Sequence, residues 1–290
     1  MRRCVDSLLV GGEDVEILII DDGSSDRTGA IADEYEMLYP NIVKAVHKPN
    51  GGHGSGVNKG LELAHGLYYK VVDSDWFDRD AYLKMLDKIK SFEVAQFPDL
   101  IICNYVYDHL DEGIQKPMNY RNVFPTEKMC NWNTIGHFHP SQYLIMHALM
   151  FQTKVLRQSG VKLPEHTFYV DNLFSYQPLP YAKNLYYMDI DLYHYYLGRE
   201  DQSVNEKVLM KRIDQQIRVT KLMLGYYDVT KIQNKKLRHY MVRYLEIMMV
   251  ICSILAIKSG SEENMAKKKA LWEELKKSNP ALYLRLRWGF

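Results

Sequence analysis

The chain has few cysteines and spaces them widely. The four, at positions 4, 103, 130 and 252 of 290, give neither a disulfide framework nor a zinc-binding or redox C-x-x-C pair, so reduced thiols are expected. An excess of charge of one sign is also missing. Lys and Arg number 37 against 36 Asp and Glu, which leaves no broad basic surface for nucleic acid and, on the total, none for an anionic membrane. No secretory leader is evident, since Asp6 interrupts the opening MRRCVDSLLVGGED. The most apolar run, YLEIMMVICSILAI over 244–257, is too short to span a bilayer and carries Glu246, so a buried helix is expected there. No internal repeat or low-complexity tract occurs.

A glycine-rich stretch is present, NGGHGSGVNKG over 50–60, but it lacks both common phosphate-binding spacings. For a Walker loop, Lys59 falls before Gly60 rather than after it and no hydroxyl follows. For a dinucleotide fingerprint, Val57 or Lys59 takes the place of the last glycine. What the loop offers is a backbone free to take positive φ and to approach a ligand or another segment closely.

Strand and helix signals alternate through the first hundred residues. VEILIID (15–21) is a continuous apolar run ending in an acid, as a strand buried on both faces requires. DGSSDRT supplies turn and capping residues, and Ile31, Tyr35 and Leu38 mark a helix that stops at Pro40. Strands follow at 41–48, 67–73 and 99–108, with helices at 58–66 and from DRDAYL onward. This order predicts a doubly wound, mostly parallel α/β sheet with ligands at the carboxyl ends of its strands. Asp21, Asp22, the glycine loop and Asp73-Ser74-Asp75 would meet there. The 22 tyrosines suit a core and a sugar-binding cleft alike. Residues 110–200 are aromatic and proline-punctuated, and from about 205 the pattern is helical.

Asp73 and Asp75 offer two hard oxygen ligands of the kind that hold Mg²⁺ or Mn²⁺ on a diphosphate, although D-x-D alone is a common surface triplet. Asp22, between a strand and a helix start, is placed either to accept a hydrogen bond from a nucleotide base or to serve as an ordinary turn acid.

Taken together and in order, IIDDGSSDRT (19–28), N-G-G-x-G-x-G-x-N-K-G (50–60) and VVDSDWFD (71–78) resemble the family 2 glycosyltransferases, inverting enzymes of GT-A fold. FYVDNLF (168–174) is similar to that family's later acidic motif, and YYLGREDQSVN (195–205) to its arginine–serine segment. The resemblance implies transfer of a sugar from a nucleotide-diphosphate donor, a UDP-sugar being expected, to a hydroxyl acceptor in polysaccharide or glycolipid synthesis. It implies Asp22 on the base; Gly52, Asn58 and Asp73 lining the donor site; Asp73 and Asp75 on Mg²⁺ or Mn²⁺; Asp171 as general base; and Arg199 and Ser203 on the phosphates. The partners implied are the donor and a carbohydrate or lipid-linked acceptor, with no nucleic acid. The location implied is cytoplasmic, with peripheral contact at the inner membrane face left open.

Three departures qualify the match. The family's opening strand has no counterpart before RRCVDSLL, which reads as the following helix. Val57 stands where an arginine is common. The late acid pair is reduced to Val170-Asp171, with Glu165, Glu200 and Asp201 as alternative bases. His194 reads as a packed histidine, and Asp189 and Asp191 as polar positions of a tyrosine-rich strand. The expected division is a transferase domain over 1–204, with a donor half to about 110 and an acceptor half over 111–204, then a helical region over 205–290. Trp132, His137, Phe138 and His139 mark the expected acceptor surface. A non-catalytic relative that binds nucleotide or a protein partner is the alternative. A nucleotidyltransferase fits less well, because no basic glycine-rich loop precedes residue 50.

Overall fold

The ILIID segment carries branched apolar side chains on both faces and pairs in parallel with VKAVH. In the computed structural model, which describes residues 1–73, 75–109, 112–140, 142–198 and 206–288, these are β1 (Ile17–Asp21) and β2 (Val43–His47), in register from Ile17 opposite Val43 to Asp21 opposite His47. Around them lie α1 (Arg2–Leu9), α2 (Thr28–Leu38) and α3 (His53–Leu63). Helix α2 starts where Asp26 accepts a hydrogen bond from the Thr28 amide at 2.9 Å. Helix α3 begins inside the glycine-rich stretch, five residues earlier than the sequence suggests.

Then come β3 (Tyr68–Tyr69), β4 (Trp76–Phe77) and α4 (Arg79–Lys90). The strand expected over 67–73 is thus ordered as strand for two residues only. Helix α4 is capped by Asp78, whose carboxylate accepts from the Ala81 amide at 2.9 Å, and Lys88 and Lys90 close its last turn. The remaining strands are β5 (Leu100–His109), β6 (Ile114–Met118), β7 (Met129–Cys130), β8 (Leu149–Gln152) and β9 (Leu185–Tyr196), with α5 (Thr153–Ser159) and α6 (Asp171–Tyr176) between the last two.

Strand β5, LIICNYVYDH, is buried along nearly all its length and forms the centre of a seven-stranded sheet in the order β3-β8-β5-β9-β4. Among the strands of the described residues, β1–β2 and the central β5–β9 pair run parallel, and β8, β6, β4 and β7 run antiparallel to their neighbours. The α/β class holds, but the sheet is more mixed than the strand–helix alternation implies. The reason is that the tyrosine-rich strand and the return strand before α5 both enter from the second half of the chain. Between Cys103 opposite Met188 and Asn104 opposite Asp191 the register slips, leaving Asp189 and Ile190 bulged out of β9.

The C-terminal section is helical throughout: α7 (Glu206–Lys211), α8 (Ile213–Tyr226), α9 (Lys235–Lys258), α10 (Glu262–Ser278) and α11 (Pro280–Trp288). Helix α9 runs for 24 residues, longer than its apolar run, and is long and apolar enough by composition to cross a membrane. Even so, 61% of its most apolar window is buried inside the protein, and a single hydrophobic core extends from Val57 to Leu286. Tyr240 of α9 joins the helices to the segment 132–144. Its ring stacks on Phe138 at 4.3 Å and Trp132 at 6.0 Å, and its hydroxyl accepts a hydrogen bond from the Leu144 amide at 2.8 Å.

Tyr240→Phe keeps the ring and leaves that buried amide without its partner. The expected loss is about 1–3 kcal/mol, read as a lower urea midpoint with an unchanged slope.

Candidate active site

The glycine loop is built for contact between the two halves of the chain. Gly52 has φ of 80°, and the amides of Gly51 and Gly52 donate to the Asp22 carboxylate at 3.0 and 2.6 Å. Lys48 completes the anchor, its ammonium 2.5 Å from Asp22 Oδ1. Burial works to raise the Asp22 pKa, but the hydrogen bonds from Lys48, Gly51 and Gly52 prevail and hold it below the ordinary carboxylate range.

Residues 163–167 lie against this loop. The His166 amide donates to the Gly51 carbonyl at 2.6 Å. Asn58 donates to the Leu163 carbonyl at 2.8 Å and accepts from the Leu163 amide at 2.9 Å. A Cβ on Gly54 would sit 2.7 Å from the Pro164 carbonyl oxygen, so only glycine admits this approach. The loop therefore clamps the late acidic segment. Asn58 is committed to that clamp, the local hydrogen-bonding role, and Val57 lies in the hydrophobic core.

The clamp sets Asp171, at the start of α6, into the same electrostatic environment as Asp73. His53, the first residue of α3, donates from Nε2 to Asp73 Oδ1 at 3.0 Å, and it feels the charges of Asp73, Asp171 and Asp22. Burial lifts the Asp171 pKa above the usual range, the nearby Asp73 adds to the rise, and His53 opposes it. For Asp73 burial again acts upward, but His53 outweighs it and the pKa falls. The two acids are thereby pushed in opposite directions, Asp73 toward the carboxylate and Asp171 toward a proton acceptor of higher affinity.

Asp73 and Asp75 are not adjacent positions of a regular strand, since β3 ends at Tyr69. A single hydroxyl joins them. Tyr193 of β9 accepts from the Asp73 amide at 3.2 Å and donates to Asp75 Oδ2 at 2.9 Å, while the Tyr196 amide donates to Asp75 Oδ1 at 3.2 Å. Among the described residues no group of three His, Cys, Asp or Glu side chains encloses a metal. Asp73 and Asp75 are the hard oxygen donors that would suit a Mg²⁺ or Mn²⁺ ion, which would supply charge against a diphosphate; Asp75 already accepts from Tyr193 and Tyr196.

Beside these acids lies a cleft of about 70 Å³ lined by Tyr105, Tyr107, Asn119, Gln142 and Tyr143. Tyr195 continues it, its ring 5.9 Å from that of Tyr107, and both Tyr143 and Tyr195 feel the charge of Asp171. His147, stacked between Tyr193 and Tyr195 at 4.6 and 4.7 Å, is driven by burial to a pKa of about 4 and so stays neutral near pH 7.

Other expected positions fall elsewhere. Trp132 is core, donating from its indole to the Ala182 carbonyl at 2.7 Å, because Tyr240 and Phe138 cover it; His137 and His139 remain exposed. His194 is packed, stacked on Trp76 at 5.4 Å with Nδ1 3.2 Å from Asp108. Asp189 and Asp191 lie in β9, where both accept from Asn104 and Arg121 pairs with Asp189. Glu165 meets Ser55 at 3.5 Å. Arg199, Ser203, Glu200 and Asp201 lie outside the described residues. Sequence reasoning assigned no role to His53, Tyr193 or Tyr195; the tyrosine-rich run 186–196, with Tyr193 and Tyr195 two apart on one strand face, was the available signal.

The model of the family described as "Glycosyl transferase family 2" matches residues 1–150, more than half of the chain. The chain belongs to glycosyltransferase family 2. Among curated relatives of this family member, EpsH and EpsJ of Bacillus subtilis, both named as glycosyltransferases, are 28% and 26% identical over 213 and 200 residues. Each alignment covers 67% of this chain, which spans only 56% of either relative. The glycosyltransferase GlyG of Streptococcus pneumoniae is 33% identical over 112 residues, 38% of this chain and 36% of its own. Staphylococcus aureus TarS, solved with UDP-GlcNAc, superposes with a TM-score of 0.56 at 14% identity, over 96% of this chain and 87% of that one. The mannosyltransferase PcManGT of Pyrobaculum calidifontis, solved with GDP-Man and Mn²⁺, superposes at 0.54 and 12% identity, over 99% and 83%. These likenesses establish the GT-A fold with its C-terminal helical section.

Gly54→Ala is expected to force the 163–167 segment away and to cost about 1–3 kcal/mol, measured by chemical denaturation. The lowered Asp22 pKa predicts a stabilising contribution present above the unfolded-state value and lost as pH falls through the folded value. Asp22→Asn should flatten that acid-side loss in unfolding curves taken from pH 6 downward.

Proposed function

We propose that this protein is a metal-dependent, inverting glycosyltransferase that moves a sugar from a nucleotide-diphosphate donor, a UDP-sugar, to a hydroxyl of a carbohydrate or lipid-linked acceptor in surface-polysaccharide synthesis. The observation that carries the reading is that Asp171, from the second half of the chain, feels the charges of Asp73 and His53 from the first, while Tyr193 ties Asp75 to Asp73. The donors named for TarS and PcManGT support the nucleotide-sugar class.

In this reading Asp73 and Asp75 hold the ion, which neutralises the diphosphate leaving group. His53 keeps Asp73 ionised and oriented. The tyrosine cleft of Tyr107, Tyr143 and Tyr195 holds the acceptor sugar ring, because aromatic faces pack on its C–H groups and hydroxyls bond its edges. The acceptor oxygen forms its bond to the anomeric carbon from the face opposite the leaving group as the bond to the diphosphate breaks. Its proton passes to Asp171, whose raised affinity brings it nearer to the working pH than an ordinary carboxylate. No covalent sugar–enzyme adduct is required.

A non-catalytic relative that serves a protein partner is the second reading. It is favoured by one observation: both oxygens of Asp22, the residue expected on the nucleotide base, are already engaged by Lys48 and the glycine-loop amides.

Calorimetric titration with UDP should show binding that requires Mn²⁺ and is lost in Asp75→Ala. Asp171→Asn should keep that binding and lower turnover by about 10²–10⁴-fold; loss of UDP binding together with turnover would count against the base assignment. Activity should fall on the acid side as pH drops through a value above the free Asp pKa of about 3.9. Because the folded-state pKa of Asp171 is raised, its ionisation disfavours the fold as pH rises, so Asp171→Asn should be at least as stable as the parent at pH 7.

A further inference from the structure

The near-zero net charge hides a division. Residues 206–290 hold 18 Lys and Arg against 8 Asp and Glu, a formal +10, whereas residues 1–205 hold 19 against 28, a formal −9. The boundary falls where the helical section begins.

Most acids of that section are already matched. Glu206, Asp214, Glu246, Glu263 and Glu274 pair with Lys258, Lys267, Arg243, Lys267 and Lys221. Lys235, Lys268, Lys269 and Lys277 have no ion-pair partner among the described residues. The same helices expose apolar side chains in a pattern. Val250, Ile254 and Ile257 of α9 are 41%, 49% and 56% exposed, and their spacing of four and three places them on one stripe. Leu284 and Trp288 of α11, one turn apart, are 57% and 72% exposed, with the Arg287 guanidinium 5.4 Å from the Trp288 ring.

We propose that the C-terminal helices dock the protein on an anionic lipid bilayer, with the unpaired lysines facing the headgroups and the Ile254 stripe and Trp288 entering the interface. Charge complementarity selects this occupant. Unpaired lysines and exposed aliphatic and indole groups on one helical section bind lipid by the sum of both terms and gain little from a neutral one. The helix α9 stripe is one face of a helix whose other faces are buried, so it rests on the membrane rather than crossing it. The acidic transferase half would then be held off the surface, with its cleft free. This inference does not depend on the sugar chemistry proposed above.

The test is flotation of the full chain with vesicles of phosphatidylcholine alone and of equal parts phosphatidylcholine and phosphatidylglycerol. Binding is expected only to the second, and it should weaken with salt. The triple variant Lys268→Glu, Lys269→Glu, Lys277→Glu should bind at least about tenfold more weakly, and so should Ile254→Gln with Trp288→Ala. Lys268 is half-buried and the other positions are exposed, and an unchanged thermal midpoint would show that the fold is kept. Equal binding to both vesicles, or none to either, overturns the proposal. So does a concentration-dependent dimer in sedimentation that is lost in Ile254→Gln with Trp288→Ala, because a second copy would then cover the stripe.

Discussion

Everything at the candidate site depends on one contact between distant parts of the chain, the seating of residues 163–167 on the glycine loop. The Gly51 carbonyl takes the His166 amide and Asn58 takes both backbone groups of Leu163. Without glycine at 54 the segment could not approach, because a Cβ there would meet backbone rather than a movable side chain. With it in place, α6 begins with Asp171 turned toward the acids of the first half. His166 and Tyr169, both in the left-handed region at φ of 47° and 64°, are the residues that make this turn.

The second constraint is supplied by β9. Tyr193 orders Asp73 and Asp75 with a single hydroxyl, and its neighbours Tyr195 and Tyr196 line or complete the site. The strand pairs in parallel with β5 and antiparallel with β4, and its tyrosines reach both the paired acids and the tyrosine-lined cleft. Burial then does the electrostatic work. It raises Asp171, while His53 overrides it at Asp73. One environment thus prepares one acid to stay ionised and another to accept a proton.

The helical section adds a different physical element. Tyr240 couples it to the middle of the chain through Phe138, Trp132 and the Leu144 amide, so the helices share the core. Their outward charge is opposite in sign to that of the rest of the chain. A total charge conceals such a division, and only the separate count exposes it.

The sequence by itself determined the family, the strand-end position of Asp22, the buried strand β5 and the C-terminal helices, since each rests on local periodicity or on a motif contiguous in the chain. It determined equally that His194 would be packed rather than free. Only the tertiary structure decided what the glycines are for, because their partner, residues 163–167, lies more than a hundred residues away. The same holds for His53 between Asp73 and Asp171, for the tie that Tyr193 makes between two acids outside a regular strand, and for the burial of Trp132 under Tyr240. Each depends on which surfaces meet, and residue spacing along a chain carries no record of that.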